Sequence, residues 1–215
     1  MYARLYTYNN TTECECNTAD VWHSYVGATS GYLSGWSFSA GSIGTISAFA
    51  DYSGTVAGTV KATTSSAHGL TTGAIIAITG TTNYNGLFEI TVIDSTNFYF
   101  TDTWVTNDGT GNWTEGSYLQ CGAGAAGKYE LTWHLASMAI VNNTTLKIAI
   151  SINTTIQERG FSERKFGTSN DIGNMAGTAI LDIAVGDKII MNIQNVGGTG
   201  NSVIKHMNIN LIKCD

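Results

Sequence analysis

From Tyr129 to Leu135 every second residue is apolar, Tyr129, Leu131, Trp133 and Leu135, while Glu130, Thr132 and His134 fill the places between. Side chains of an extended chain point alternately to opposite faces, so a period of two describes a strand with one face buried and the other wet. The same period returns at Leu146, Ile148, Ile150 and Ile152, at Leu181, Ile183 and Val185, at Ile189, Met191 and Ile193, and at Met207, Ile209 and Leu211. Between the runs stand Asn142-Asn143, Gly177, Gly186-Asp187 and Gly197-Gly198-Thr199-Gly200-Asn201. These turn formers supply positive φ or side-chain-to-backbone bonds where a chain reverses. No helical period intervenes, so the expected fold class is all-β, with antiparallel strands packed as a sandwich. Tyr129, Leu131, Trp133, Met191, Ile193, Met207 and Ile209 are the candidate core or subunit-interface residues.

Residues 1–54 read as four short strands: Tyr2, Tyr6 and Tyr8 alternating with Ala3, Leu5 and Thr7; a second around Val21-Trp22 and Tyr25-Val26; a third with Trp36 and Phe38; a fourth with Ile46, Ala48 and Ala50. Residues 55–114 read as an inserted small barrel of about five strands, since β-rich runs of this spacing close on themselves. That stretch holds Val60-Lys61-Ala62-Thr63, the buried run Ile75-Ile76-Ala77-Ile78, the alternation of Phe88, Ile90 and Val92, and Phe98-Tyr99-Phe100. Asn85-Gly86 within it is the strongest two-residue hairpin signal in the chain. Small-residue stretches, Gly54-Thr55-Val56-Ala57-Gly58 and Asp108-Gly109-Thr110-Gly111-Asn112, mark its two ends. Residues 115–215 form the last block.

At 215 residues the chain is long enough for a proper core, and with 43% hydrophobic residues it does not have the composition of a disordered one. The formal net charge of −6 and the lack of any basic run exclude a protein built to track a phosphate backbone. No segment approaches the roughly 20 apolar residues that a membrane helix needs, and no apolar stretch of signal-peptide length opens the chain. Synthesis and folding in a cytosol are expected. Under reducing conditions Cys14, Cys16, Cys121 and Cys214 are read as buried or free thiols rather than a disulfide framework, and Cys14 and Cys16 as sharing one strand face.

Residues with catalytic or ligating chemistry are scattered. His23, His68, His134 and His206 stand singly, and the Cys14-x-Cys16 pair has no second pair at zinc-site spacing, so no metal or cofactor is expected. His68, in His68-Gly69-Leu70, is read as bonding its own loop. Asp94, Asp102 and Asp108 lie among Ser, Thr, Asn and Gly, a loop setting rather than that of paired catalytic carboxylates. Asp51, Asp171 and Asp187 lack the ligand alternation of a calcium loop. Glu158, Arg159, Glu163, Arg164 and Lys165 form the one dense charged patch, read as a solvated loop or a contact with a neighbouring subunit. Tyr84, Tyr99 and Trp104 are aromatics that a sugar platform would use, although core packing is their commoner role.

The C-terminal stretch resembles the tumour-necrosis-factor-like and complement-head-like jelly rolls, particularly those found as structural proteins of tailed bacteriophages. The resemblance rests on Gly127-x-Tyr129-x-Leu131-x-Trp133, the Ile152-Asn153 turn with Arg159 and Arg164 after it, Leu181-x-Ile183-x-x-Gly186-Asp187-x-Ile189, and Asn208-x-Asn210-Leu211. The 55–114 insert is similar to a His-Gly-Leu … Asn-x-Asn-Gly β-module of phage virion proteins. The resemblance implies that 1–54 and 115–215 are two parts of one jelly roll. It also implies a non-enzymatic homotrimer on the virion exterior, a capsid decoration, cement or head-fibre protein made in the host cytoplasm and contacting virion proteins such as the major capsid protein. A tail protein that binds a receptor or host-surface glycan is the alternative expectation. A secreted carbohydrate-binding module or polysaccharide hydrolase comes third.

Overall fold

The computed structural model describes residues 1–214, all strand, turn and irregular chain with no helix among them. Eighteen strands follow one another, and every pairing is antiparallel. In chain order the first are β1 (Tyr2–Thr7), β2 (Trp22–Ser24), β3 (Thr29–Ser34) and β4 (Trp36–Ser39). Then come β5 (Ser42–Asp51), β6 (Thr59–Thr64), β7 (Ile75–Thr79), β8 (Gly86–Val92), β9 (Asn97–Thr101) and β10 (Gly111–Glu115). The last are β11 (Tyr118–Cys121), β12 (Gly127–Ala139), β13 (Thr144–Ile152), β14 (Thr155–Ile156), β15 (Ser162–Phe166), β16 (Ile172–Ile183), β17 (Lys188–Asn195) and β18 (Ser202–Lys213). They make two compact units, one of Met1–Gly41 with the residues from Gly116 onward, the other Ser42–Glu115.

The first unit is a sandwich. One sheet has the order β16-β12-β18-β1-β3; the other runs β14-β13-β17-β11-β4, with β15 also on β13 and β2 also on β17. Their inner faces carry the apolar half of each alternation. Tyr129, Leu131, Trp133, Met207 and Ile209 from the first sheet meet Ile148, Ile150, Met191 and Ile193 from the second in one core. All seven residues singled out from the sequence are at most 3% exposed within a single chain. The apolar faces around 129–135, 189–193 and 203–211 are therefore filled by the fold itself and are not open to a neighbouring subunit.

The turns explain where the runs stop. Asn143 and Asn153 take φ of +56° and +52° between β12 and β13 and between β13 and β14, a conformation their short polar side chains tolerate. At Gly186-Asp187, between β16 and β17, the Asp187 carboxylate accepts from Ala184 N at 2.8 Å and from Asn153 Nδ2 at 2.9 Å. Val185, expected to extend the Leu181–Ile183 strand, lies in this turn and is 57% exposed.

Gly177, expected as a separator, is instead in the middle of β16. It sits directly across from Trp133 in the β12–β16 register, and a Cβ there would stand 2.7 Å from the indole Cε2. The glycine is room for a tryptophan rather than a break. Trp113 repeats the device in the second unit, facing Gly44 across β10 and β5 with its ring where a Cβ would be.

The second unit is a closed six-stranded barrel, β10-β5-β6-β9-β8-β7 and back to β10. Ile46, Phe49, Val60, Ile76, Ile78, Ile90, Phe98, Phe100 and Trp113 belong to its core. The strand with Ile46, Ala48 and Ala50, assigned from sequence to the sandwich, is β5, and it pairs with β6 and β10. Alternation reports that one face is buried but not which neighbour buries it, so the boundary moves from 54/55 to Gly41/Ser42. Asn85-Gly86 does not form a two-residue turn. It enters β8 at the end of a longer loop that Asn85 holds, its Oδ1 accepting from Thr81 N and its Nδ2 donating to Thr81 O at 3.0 and 2.6 Å.

Candidate functional site

The residues with chemical potential serve the fold. His68 is 6% exposed; its Nδ1 accepts from Leu70 N, which leaves the proton on Nε2 to donate to Asp94 O, both at 2.9 Å. One bond closes its own loop and the other ties that loop to the turn between β8 and β9. Asp94 accepts from Thr96 N and Asn97 N, bonds that hold its carboxyl below the usual range, the Thr96 amide first among them. Asp108 accepts from Thr82 N and Asn83 N, and Asp102 from Thr103 N. The three carboxylates thus cap separate turns. Tyr84, one of the three sugar-platform aromatics, is fully buried; its hydroxyl donates to Thr106 O at 2.6 Å and accepts from Val105 N and Thr106 N. Trp104 stacks on it at 6.1 Å, whereas Tyr99 stacks on Tyr52 at 5.2 Å, so the three do not form one platform.

Cys14 and Cys16 are not on one strand. Cys14 makes an isolated bridge with Ser202, and both side chains are buried. A hydrogen bond with Cys16, reinforced by burial, pushes the Cys14 thiol well above its ordinary value. All four cysteines are free. Among the described residues no three His, Cys, Asp or Glu side chains stand together as a metal site would need.

His23, on β2, faces the sandwich interior at 4% exposure, and burial lowers its pKa from 6.5 despite a 3.4 Å contact between Nε2 and Thr18 O. The unfolded chain binds this proton more readily than the folded one, so stability falls as pH drops below about 6.5 toward the depressed folded value. The melting temperature of the sandwich is expected to decline between about pH 7.5 and 5.5, and His23→Gln to flatten the decline. Identical slopes for the two proteins would assign the effect elsewhere.

What the sandwich presents outward is more distinctive. On the five-stranded sheet the polar half of the alternation lies in rows across the strands. Thr178, Thr132, Asn210 and Arg4 make one row; Ala176, His134, Asn208 and Tyr6 the next. Ile180, Glu130, Ile212 and Tyr2 make a third. Arg4 Nε donates to Asn208 Oδ1 at 2.8 Å and its guanidinium lies 5.6 Å from the Tyr6 ring centre, a geometry that fixes a charged group flat on the sheet. Gly31 of β3 makes this possible, since a Cβ there would press on the Arg4 stem at 3.2 Å. Tyr2 stacks on Tyr32 at 5.9 Å, and Tyr8 meets His206 at 5.2 Å. His134, Asn174, Ala176 and His206 border a depression of about 440 Å³.

This face leaves Tyr32 at 70%, Ile172 and Ile180 at 55% and Ile212 at 50% exposure, large apolar groups spread from one edge of the sheet to the other, with Ile180 and Ile212 in the Tyr2 row. None was singled out from sequence. The signal available was the polar half of each alternation together with Tyr2, Tyr6 and Tyr8, because a strand whose outward residues are aromatic is not simply solvated. No protein-family model matches the chain, and a search of curated proteins finds no match. No helix among the described residues is long and apolar enough to cross a membrane.

Proposed function

We propose that the chain is a non-enzymatic structural protein of a phage virion, a capsid decoration, cement or head-fibre protein that works as a homotrimer. The sequence resemblance to trimeric phage jelly rolls supplies the virion context, and the outer face of the five-stranded sheet carries the assembly part of the reading. Half-exposed Ile212 beside Tyr2, with Tyr6 and an immobilised Arg4, supplies the aromatic and arginine groups enriched in protein interfaces. Exposed apolar groups spread over one face of a sheet are a cost in water that symmetric self-association over that face removes.

Light scattering on the purified chain is expected to give three times the 22.8 kDa chain mass at micromolar concentration. Tyr6→Glu and Ile212→Arg, both outward on this sheet, are expected to give folded monomers. A monomeric parent, or trimers that survive both changes, overturns the assembly reading. Localisation of the chain in an electron-microscopy map of the particle tests the virion role. A receptor- or glycan-binding tail protein is the second reading, favoured by a depression that Trp22, Lys147, Phe161 and Gln194 line on the other sheet.

A further inference from the structure

The outer face of the second sheet carries a row of side chains used by neither the core nor the assembly face. Register sets Glu163 of β15, Lys147 of β13, Gln194 of β17 and Trp22 of β2 side by side, since Lys147 pairs with Glu163 and Gln194, and Gln194 pairs with Trp22. Beyond Lys147, β14 brings up Ile156 and the chain between β14 and β15 brings up Glu158 and Phe161. Together with Trp22, Lys147 and Gln194 these line a depression of about 340 Å³, within the range of small-ligand sites. Its aromatics are not core residues. Trp36, Trp113 and Trp133 are buried whereas Trp22 is only half-buried, and Phe161 is 50% exposed. Trp22 stands at the β2 margin of the row and Phe161 just before β15 at the other, with the polar groups between them.

We infer that this depression binds a neutral pyranose, a unit of a glycan. A pyranose has a C–H face that packs against an aromatic ring and a rim of hydroxyls that both donate and accept. Trp22 and Phe161 offer the rings, Lys147 donors, Glu158 acceptors and Gln194 both. The Gln194 amide is already oriented, its Nε2 donating to Asp20 O at 2.6 Å, which leaves its carbonyl oxygen as an acceptor. Charge selects against anions. Among the lining residues the one cation, Lys147, is paired with Glu163 at 3.5 Å, and Glu158 adds a further negative charge. A peptide adding itself as a strand finds no edge at the row's centre, because β13 and β17 are paired on both sides there.

The test uses the full chain and a panel of glucose, galactose, N-acetylglucosamine and their neutral oligomers at millimolar concentration. Saturation-transfer NMR is expected to detect at least one of them. In a Trp104→Phe background, which leaves Trp22 as the one tryptophan that is not buried, the same sugar should change the emission. Trp22→Ala and Phe161→Ala are each expected to weaken binding at least tenfold with circular dichroism unchanged, and Tyr99→Ala on the barrel to leave it intact. Tyr6→Glu, which tests the trimer, should also leave sugar binding intact, so the two readings fail separately. No signal from any neutral sugar, a signal that survives both aromatic deletions, or stronger binding of sialyllactose than of neutral lactose would each overturn the inference.

Discussion

Trp133→Ala is expected to destabilise the sandwich by about 3–5 kcal/mol, against about 0.5 kcal/mol or less for His134→Ala one position along. The contrast follows from strand period and is sharpened by the contacts. Trp133 is 2% exposed in the middle of β12, and its Nε1 donates to Gly160 O at 2.9 Å. Truncation removes one of the three buried tryptophans, opens a cavity between the sheets and leaves a carbonyl unpaired. The indole also ties down the connection between β14 and β15 that closes this margin of the core. Trp133→Phe keeps most of the packing and isolates the hydrogen bond, with an expected cost of about 1–3 kcal/mol. Gly177→Ala tests the same contact from the other side, because its methyl would overlap both the indole and the Gly160 carbonyl. Urea midpoints read by circular dichroism decide the matter. A His134→Ala loss larger than that of Trp133→Ala would reverse the face assignment of β12.

That contrast shows which parts of the fold local sequence can carry. The period of two at Tyr129–Leu135 contains both the strand and its buried face, because both are properties of the pleat. The partner of a strand is not a local property. Ile46, Ala48 and Ala50 alternate as sandwich residues do, yet Ile46 faces the barrel core beside Phe98 and Phe100, and a register shift after it in β5 puts Phe49 there in place of the alanines. Gly177 looks like a turn in isolation and becomes a mid-strand residue only once Trp133 is opposite it. Core packing is the commoner role of an aromatic such as Tyr84, but its partners are not local: the two backbone amides that bond its hydroxyl come from Val105 and Thr106, twenty-odd residues away. The candidate sites share this property. Glu163, Lys147, Gln194 and Trp22 are far apart in sequence and meet only through the register of four strands. The outward rows on the other sheet likewise combine the first and last strands of the chain.

Replacing Ser42–Glu115 by a short Gly-Ser turn is expected to leave the sandwich folded with one cooperative melt. The ends of the excised segment already meet within the sandwich: β4 and β11 are neighbours with Ser39 opposite Tyr118. Ser117 Oγ donates to Ala40 O at 2.7 Å and accepts from Gly27 N and Ala28 N at 3.2 Å, which holds the strand ends without help from the insert. The deletion converts the connection into a β4–β11 hairpin, and shortening a loop lowers its closure entropy. On the barrel side Ser42 pairs with Glu115, so the insert begins and ends on one strand pair and Ser42–Glu115 is expected to fold when expressed alone. Cutting at 56–113, where the small-residue stretches suggest a boundary, has the opposite outcome. It removes β6 to β9 and Trp113, strips the partners from ten-residue β5 and exposes Ile46 and Phe49 on an open edge, a template for aggregation. Circular dichroism melts and size-exclusion profiles of the two deletions separate the cases. Loss of cooperative unfolding in the 42–115 deletion, or a monodisperse, fully stable 56–113 deletion, would return the boundary to where composition alone places it.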